Sequence, residues 1–270
     1  MKEINELQEI AKRARRNILE QVYSAKSGHP GGALSCIDIL TVLYFNQMNI
    51  NPENPKMEDR DRLVLSKGHS SAALYAILAE KGFFPVEELK EFRKLGSRLQ
   101  GHPDLNKLPG VDMTTGSLGQ GLSAACGMAM ASKLKKQNNR VYCIVGDGEI
   151  QEGQIWEAAM AAAHYKLDNL CLIVDNNNLQ IDGKVTDVMS PYPIVEKLES
   201  FGFIVFKVDG NNIENLIEIF ENAKIINGKP VAIVANTVKG KGISFMEDKA
   251  EWHGKAPNSE EYEVAISELL

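Results

Sequence analysis

The chain has no continuous apolar run of about 18 residues, so nothing in it reads as a membrane-spanning helix. Its N-terminus is acidic and amphipathic rather than basic and then apolar, which argues against a secretory leader. Cysteine is scarce. Cys36, Cys126, Cys143 and Cys171 stand singly in apolar stretches without a C-x-x-C pair, which argues against disulfides and structural zinc and suits a reducing, cytoplasmic setting. Positive charge is not in excess either: 30 Lys+Arg against 36 Asp+Glu leave a formal net charge of −6. Bulk electrostatics therefore offer no attraction for nucleic acid or an anionic membrane, and any phosphate must be held by a local arrangement. Repeats, low-complexity tracts and linkers are missing too. The expectation is one domain over residues 1–270, with an irregular C-terminal tail from about 240.

What is present is periodicity. Ile4, Leu7, Ile10, Ala14, Ile18 and Val22 recur at helical spacing over residues 3–23, and Lys12, Arg13, Arg15 and Arg16 read as the solvated face of that helix. A Gly/Pro break at 27–32 precedes an apolar helix over about 34–47, and a short strand at 63–65 leads through Ser66-Lys67-Gly68-His69 to a helix ending near 81. From 140 the pattern alternates regularly: strand 141–145, helix 153–165, strand 170–174, helix 191–201, strand 203–208, helix 212–226, strand 231–236. This predicts an α/β fold, a doubly wound parallel sheet with helices on both faces. Ligands of such folds sit at the carboxyl ends of the strands.

Two strand ends carry the strongest chemical signal. Val141–Val145 runs into Gly146-Asp147-Gly148-Glu149, and Leu170–Val174 runs into Asp175-Asn176-Asn177-Asn178. In neighbouring parallel strands Asp147 and Asn177 emerge at one edge, where a carboxylate and an amide carbonyl are the hard oxygen ligands magnesium prefers. The flanking glycines let backbone N–H groups approach a phosphate. Either motif alone also reads as an ordinary strand-end turn; together, one helix apart, they favour the metal site.

A glycine-rich turn, Thr114-Thr115-Gly116-Ser117-Leu118-Gly119-Gln120-Gly121, opens a helix of small apolar residues running to about 134. Such a turn suits an anion or close packing against a flat ring. Gly119-x-Gly121-x-x-Ala124 also fits a dinucleotide fingerprint, which makes a nicotinamide-dependent oxidoreductase the alternative. Residues 106–113 make a poor strand before it, and that reading leaves Asp175-Asn176-Asn177 unused.

Four of the five histidines sit beside glycine in short breaks: Gly28-His29-Pro30, Gly68-His69-Ser70, Gly101-His102-Pro103 and Trp252-His253-Gly254. One such histidine is a loop residue; four with the same local grammar point to loops meeting at one polar pocket, for proton exchange or hydrogen bonds to sugar and phosphate oxygens. They lack zinc-helix spacing.

With these motifs in place, the chain resembles the N-terminal, diphosphate-binding region of transketolase. Gly146-Asp147-Gly148 through Asn177 resembles the thiamine diphosphate motif, and Ser27-Gly28-His29-Pro30-Gly31, Lys67-Gly68-His69, Gly101-His102-Pro103 and Trp252-His253-Gly254 resemble elements of transketolase itself. The resemblance implies a metal held by Asp147, Asn177 and the Leu179 carbonyl: magnesium, with calcium or manganese as substitutes. It implies Gly146, Gly148, His69 and His253 at the diphosphate and Gly116, Ser117 and Leu118 at the cofactor rings, with Glu152 and Asp175 as acids near cofactor and subunit interface. His29, His69, His102 and His253 would line the reaction site for two-carbon ketol transfer between sugar phosphates, as in the pentose phosphate pathway. The family continues well past the length of this chain into a pyrimidine-binding domain. The resemblance therefore implies a C-terminal partner subunit in an α2β2 heterotetramer, or a longer protein cut short.

Overall fold

Alternate residues of each strand enter opposite apolar layers, the signature of a sheet buried on both faces. On β2 (Val141–Gly146) and β3 (Leu170–Asn176), Val141, Cys143, Val145, Leu170, Leu172 and Val174 join one buried cluster. Tyr142, Ile144, Cys171 and Ile173 join the other.

The computed structural model describes residues 2–270. Helices α1 (Ile4–Ala25), α2 (Pro30–Ser35) and α3 (Ile37–Val42) lead to β1 (Arg62–Leu65), α4 (Ser71–Lys81) and α5 (Gln120–Leu134). After β2 come α6 (Gly153–His164) and β3, then a small hairpin of β4 (Leu179–Gln180) and β5 (Gly183–Lys184). The short α7 (Val185–Val188) follows, then α8 (Ile194–Phe201), β6 (Ile204–Asp209), α9 (Ile213–Lys224), β7 (Val231–Asn236) and α10 (Ser259–Glu268). The five long strands are all parallel, in the order β1-β2-β3-β7-β6. Buried residues of α1, α3, α4, α9 and α10 pack on one face and those of α5, α6 and α8 on the other, the doubly wound α/β architecture expected.

Three local expectations are corrected. The predicted helix 34–47 is broken at Cys36 and begins earlier, at Pro30, the first-turn position proline tolerates. Gly31 and Gly32 lie inside it because neighbours crowd them: a methyl group on Gly31 would lie 2.8 Å from the Trp252 carbonyl. The tail after 240 is not irregular throughout, since Asn258 and Glu261 form a reciprocal capping box that starts α10, which packs on α1. Helix 191–201 starts only at Ile194, after Pro191 and Pro193. None of the described helices is long and apolar enough to cross a membrane.

Candidate functional site at the carboxyl edge of the sheet

The register of β2 on β3 pairs Gly146 with Asp175, so the next residues of both strands leave the sheet side by side. Asp147 Oδ1 accepts from Gly148 N–H at 2.8 Å and Oδ2 from Asn178 N–H, while Asn177 Oδ1 accepts from Leu179 N–H at 3.1 Å. The predicted convergence is present, and it is wrapped round a cavity of about 360 Å3 lined by His29, His69, Asp147, Asn177, Lys239 and His253 among others. Gly116, Leu118, Gly146, Gly148, Glu152 and Leu179 also line it. A larger, more open cleft of about 760 Å3 lies at the ends of β6 and β7, but its buried Asp38 is already paired with Arg15 and Asn211.

The cavity's charges are unusual. Asp147 is 2% exposed and contacts only backbone donors; burial, with Asp175 nearby, pushes its carboxyl up to about 6. Lys239, also 2% exposed, donates to the Leu179 carbonyl and contacts His253 Nδ1, both at 3.1 Å. Burial and Lys67 bring its ammonium down to about 8. Among the described residues neither group has an oppositely charged side chain within salt-bridge distance. One buried anion and one buried cation thus face a shared cavity, each lacking a counter-ion, which buried charges ordinarily require. The donor set fits a hard cation beside an anionic group.

Three histidines close the other side. Ring centroids of His29, His69 and His253 lie 5.1–5.4 Å apart. Burial and Arg93 lower His29 to about 4, burial and Lys239 lower His253 to about 3, and burial with Lys67 holds His69 well below its ordinary value. All three imidazoles are therefore neutral at physiological pH, because a proton on one would be buried and would also face several cations.

Three predicted site residues fall outside the cavity wall. Ser117 is exposed on the turn. His102, exposed, packs against that turn, where a methyl group on Gly116 would lie 3.0 Å from its ring. Asp175, fully buried, does not line the cavity: it accepts from Lys67, Ser35 and Thr237, all within this chain.

Sequence reasoning missed Lys239 and Glu149. Lys239 follows the end of β7 in Val238-Lys239-Gly240, so the strand-end rule that found Asp147 would have found it. Glu149 is buried, and its carboxylate accepts from Ser66 O–H, Gly119 N–H and Gly146 N–H, the latter two at 3.0 Å. It ties the glycine turn to the ends of β1 and β2. Glu149→Ala leaves these donors without their acceptor, at about 1–3 kcal/mol for a buried orphan. A melting temperature lower by several degrees, followed by circular dichroism, is expected, at roughly 2–4 °C per kcal/mol.

Site and fold together define the class: a parallel α/β domain whose strand ends hold unpaired opposite charges and neutral imidazoles round one cavity. The family model "Transketolase, thiamine diphosphate binding domain" matches residues 7–269, and the chain belongs to the transketolase family as its thiamine diphosphate-binding domain. It is 44% identical over 267 residues to one of the named subunits of the apulose-4-phosphate transketolase of Phocaeicola vulgatus, covering 99% of this chain and 95% of that one. It is 46% identical to the 6-deoxy-6-sulfo-D-fructose transketolase subunit SqwG of Clostridium sp. (strain MSTE9), covering 98% and 96%. The transketolase structure of Campylobacter jejuni superimposes with a TM-score of 0.93 at 37% identity, over 99% of this chain but 43% of that one. The chain thus spans less than half of that transketolase, whereas it matches relatives named as subunits nearly end to end. Those subunit names imply a companion chain.

The nicotinamide alternative is overturned by this membership and by geometry. Among the described residues no strand runs directly into Gly119, the segment before it from residue 92 on being irregular, and Gly121 is there for packing: a methyl group on it would lie 2.8 Å from the Ser66 Cα.

Proposed function

We propose that this chain grips the metal–diphosphate end of thiamine diphosphate and is one subunit of a two-chain transketolase. The observation that carries the reading is the pair of uncompensated buried charges, Asp147 and Lys239, facing one cavity. A metal diphosphate supplies a cation and an anion at once. Asp147, Asn177 and the Leu179 carbonyl would hold magnesium, or calcium or manganese in its place; Lys239 would release that carbonyl and turn to the diphosphate. Gly148 N–H, His69 and His253 would complete the phosphate contacts, and Gly116, Ser117 and Leu118 would meet the rings.

When bound, thiamine diphosphate supplies the nucleophilic carbon and electron sink that two-carbon ketol transfer needs. The chain's own part is placement. His29, His69 and His253, held neutral, would donate and accept hydrogen bonds at sugar hydroxyls without adding charge, and His102 would guard the rim. The relatives' names span a ketose phosphate and a sulfonated ketose, so the substrate class is ketoses with an anionic terminus, with the companion subunit choosing among them. An α2β2 assembly, cytoplasmic location and a place in pentose phosphate interconversion belong to the same proposal; four free, buried cysteines suit a reducing compartment.

The test is calorimetry with thiamine diphosphate and magnesium, and two-carbon transfer from xylulose 5-phosphate, on the chain alone and with its companion subunit. Transfer should appear only in the complex, at least about 100-fold above the chain alone, since the acid–base groups missing from one half each carry about 10²–10⁴-fold. No cofactor heat and no transfer in the complex would defeat the proposal.

A further inference from the structure

Arg93 stands outside every motif above, yet the chain goes to some length to place it. Its backbone is left-handed, with φ of +60°, a conformation uncommon for a residue with a side chain. Its guanidinium fills space left open by a glycine: a methyl group on Gly101 would lie 2.7 Å from Arg93 Cζ. There it donates to Ser27 Oγ at 3.1 Å and lies over the Phe92 ring, 5.5 Å from the centroid. Its Nε is buried without a hydrogen-bond partner, so saturation of its own donors does not explain the position. The contact that does is Arg93 Nη2 to His29 Nδ1, at 3.5 Å.

A guanidinium has N–H donors and no acceptor. A neutral imidazole has one nitrogen of each kind, and whichever faces the guanidinium must offer its lone pair. We propose that Arg93 is a positioning residue that fixes His29 in the Nε2–H tautomer. The opposite edge of the ring, Cδ2 and Nε2, lies toward Gly254, beside His253 and the cavity. His29 therefore presents a donor to the reaction site, suited to a ketose carbonyl or hydroxyl oxygen. The groups facing His29 are the cations of Arg93 and Lys239 and the imidazoles of His69, His102 and His253; no carboxylate stands among the groups that shift it. Arg93 thus sets where the proton sits on His29 and, after burial itself, contributes most to there being only one.

This rests on the transketolase reading for its consequence but not for its test. Histidine-selective nitrogen NMR of the full chain reads the tautomer directly. Wild-type His29 should show a protonated Nε2 and a bare Nδ1 throughout pH 6–8; Arg93→Met should give a mixture of tautomers and a higher pKa, and Arg93→Lys, which keeps a donor-only cation, should restore the wild-type pattern. In the assembled enzyme Arg93→Met should bind thiamine diphosphate as before while kcat falls about 10–100-fold, short of the ~10²–10⁴ of complete acid–base loss. Its acid limb should move to higher pH. An Nδ1–H tautomer in wild type, or an unchanged His29 in Arg93→Met, overturns the proposal. A wild-type complex without transfer would instead defeat the transketolase reading and leave the tautomer to the NMR result.

Discussion

Asp147→Ala is expected to abolish the proposed metal-dependent binding of thiamine diphosphate: calorimetry with magnesium should show affinity lowered by more than about 100-fold, beyond the 10–100-fold that outer-shell groups alone carry. The size follows from how this carboxylate is held. It is almost fully buried and contacts two backbone N–H groups but no cationic side chain. A buried charge in that condition is costly, and its pKa, up to about 6, records the cost. A divalent ion would relieve it; alanine leaves the ion nothing to relieve. Asp147→Asn keeps an acceptor for Asn178 N–H and so separates loss of charge from loss of the turn. Its binding should be nearly as poor as that of alanine, with the fold intact by circular dichroism. The same pKa gives a pH dependence. Metal must displace the proton that Asp147 holds below about pH 6, so wild-type affinity should be level above that pH and fall below it by up to about tenfold per unit. Unchanged binding in Asp147→Ala would place the site elsewhere.

How much of this was legible in the sequence depended on whether a feature was local. Asp147 and Asn177 were readable because each directly follows an unambiguous apolar strand and parallel pairing leaves strand ends no freedom about which edge they reach. The glycine-flanked histidines were readable as a group, and three of them do meet; His102 has the same neighbours in sequence but packs against Gly116 at the edge of the group, close enough to act on His29, which no spacing reveals. Asp175 illustrates the limit: the resemblance put it near the cofactor and subunit interface, and within β3 it is fully buried one position before the strand's end. Arg93 was invisible because its partners, Ser27 and His29, lie far away in sequence; Lys239 was within reach, because it follows an apolar strand as Asp147 does. The early start of the helix at Pro30 and the helix of the tail are tertiary outcomes, the first accompanied by crowding at Gly31, the second made by a cap too short to register against the surrounding polar residues.

Asp175 yields the other large effect, on stability. Its carboxylate takes Lys67 and Ser35 on one oxygen and Thr237 on the other, and Lys67 also donates to the Gly32 carbonyl at 2.8 Å. This joins the ends of β1, β3 and β7 to α2 directly under the cofactor cavity. Burial pushes Asp175 up and Lys67 down, but each more than offsets this in the other, together with the surrounding hydrogen bonds: Asp175 lies below its ordinary value and Lys67 above. The pair is therefore ionised in the fold. Removing one member strands the other charge in the interior, at about 3–5 kcal/mol. Asp175→Ala and Lys67→Met should each lower the melting temperature by roughly 6–20 °C, at about 2–4 °C per kcal/mol. The double variant Lys67→Met/Asp175→Leu should melt above either single one, because an apolar pair of similar volume replaces a buried ion pair at little net cost. It should still lose activity, since Gly32 and the loop bearing His29 are then untethered. Additive losses in the double variant would show that the two residues do not act as a buried pair, and full activity in it would show that the cavity does not depend on them.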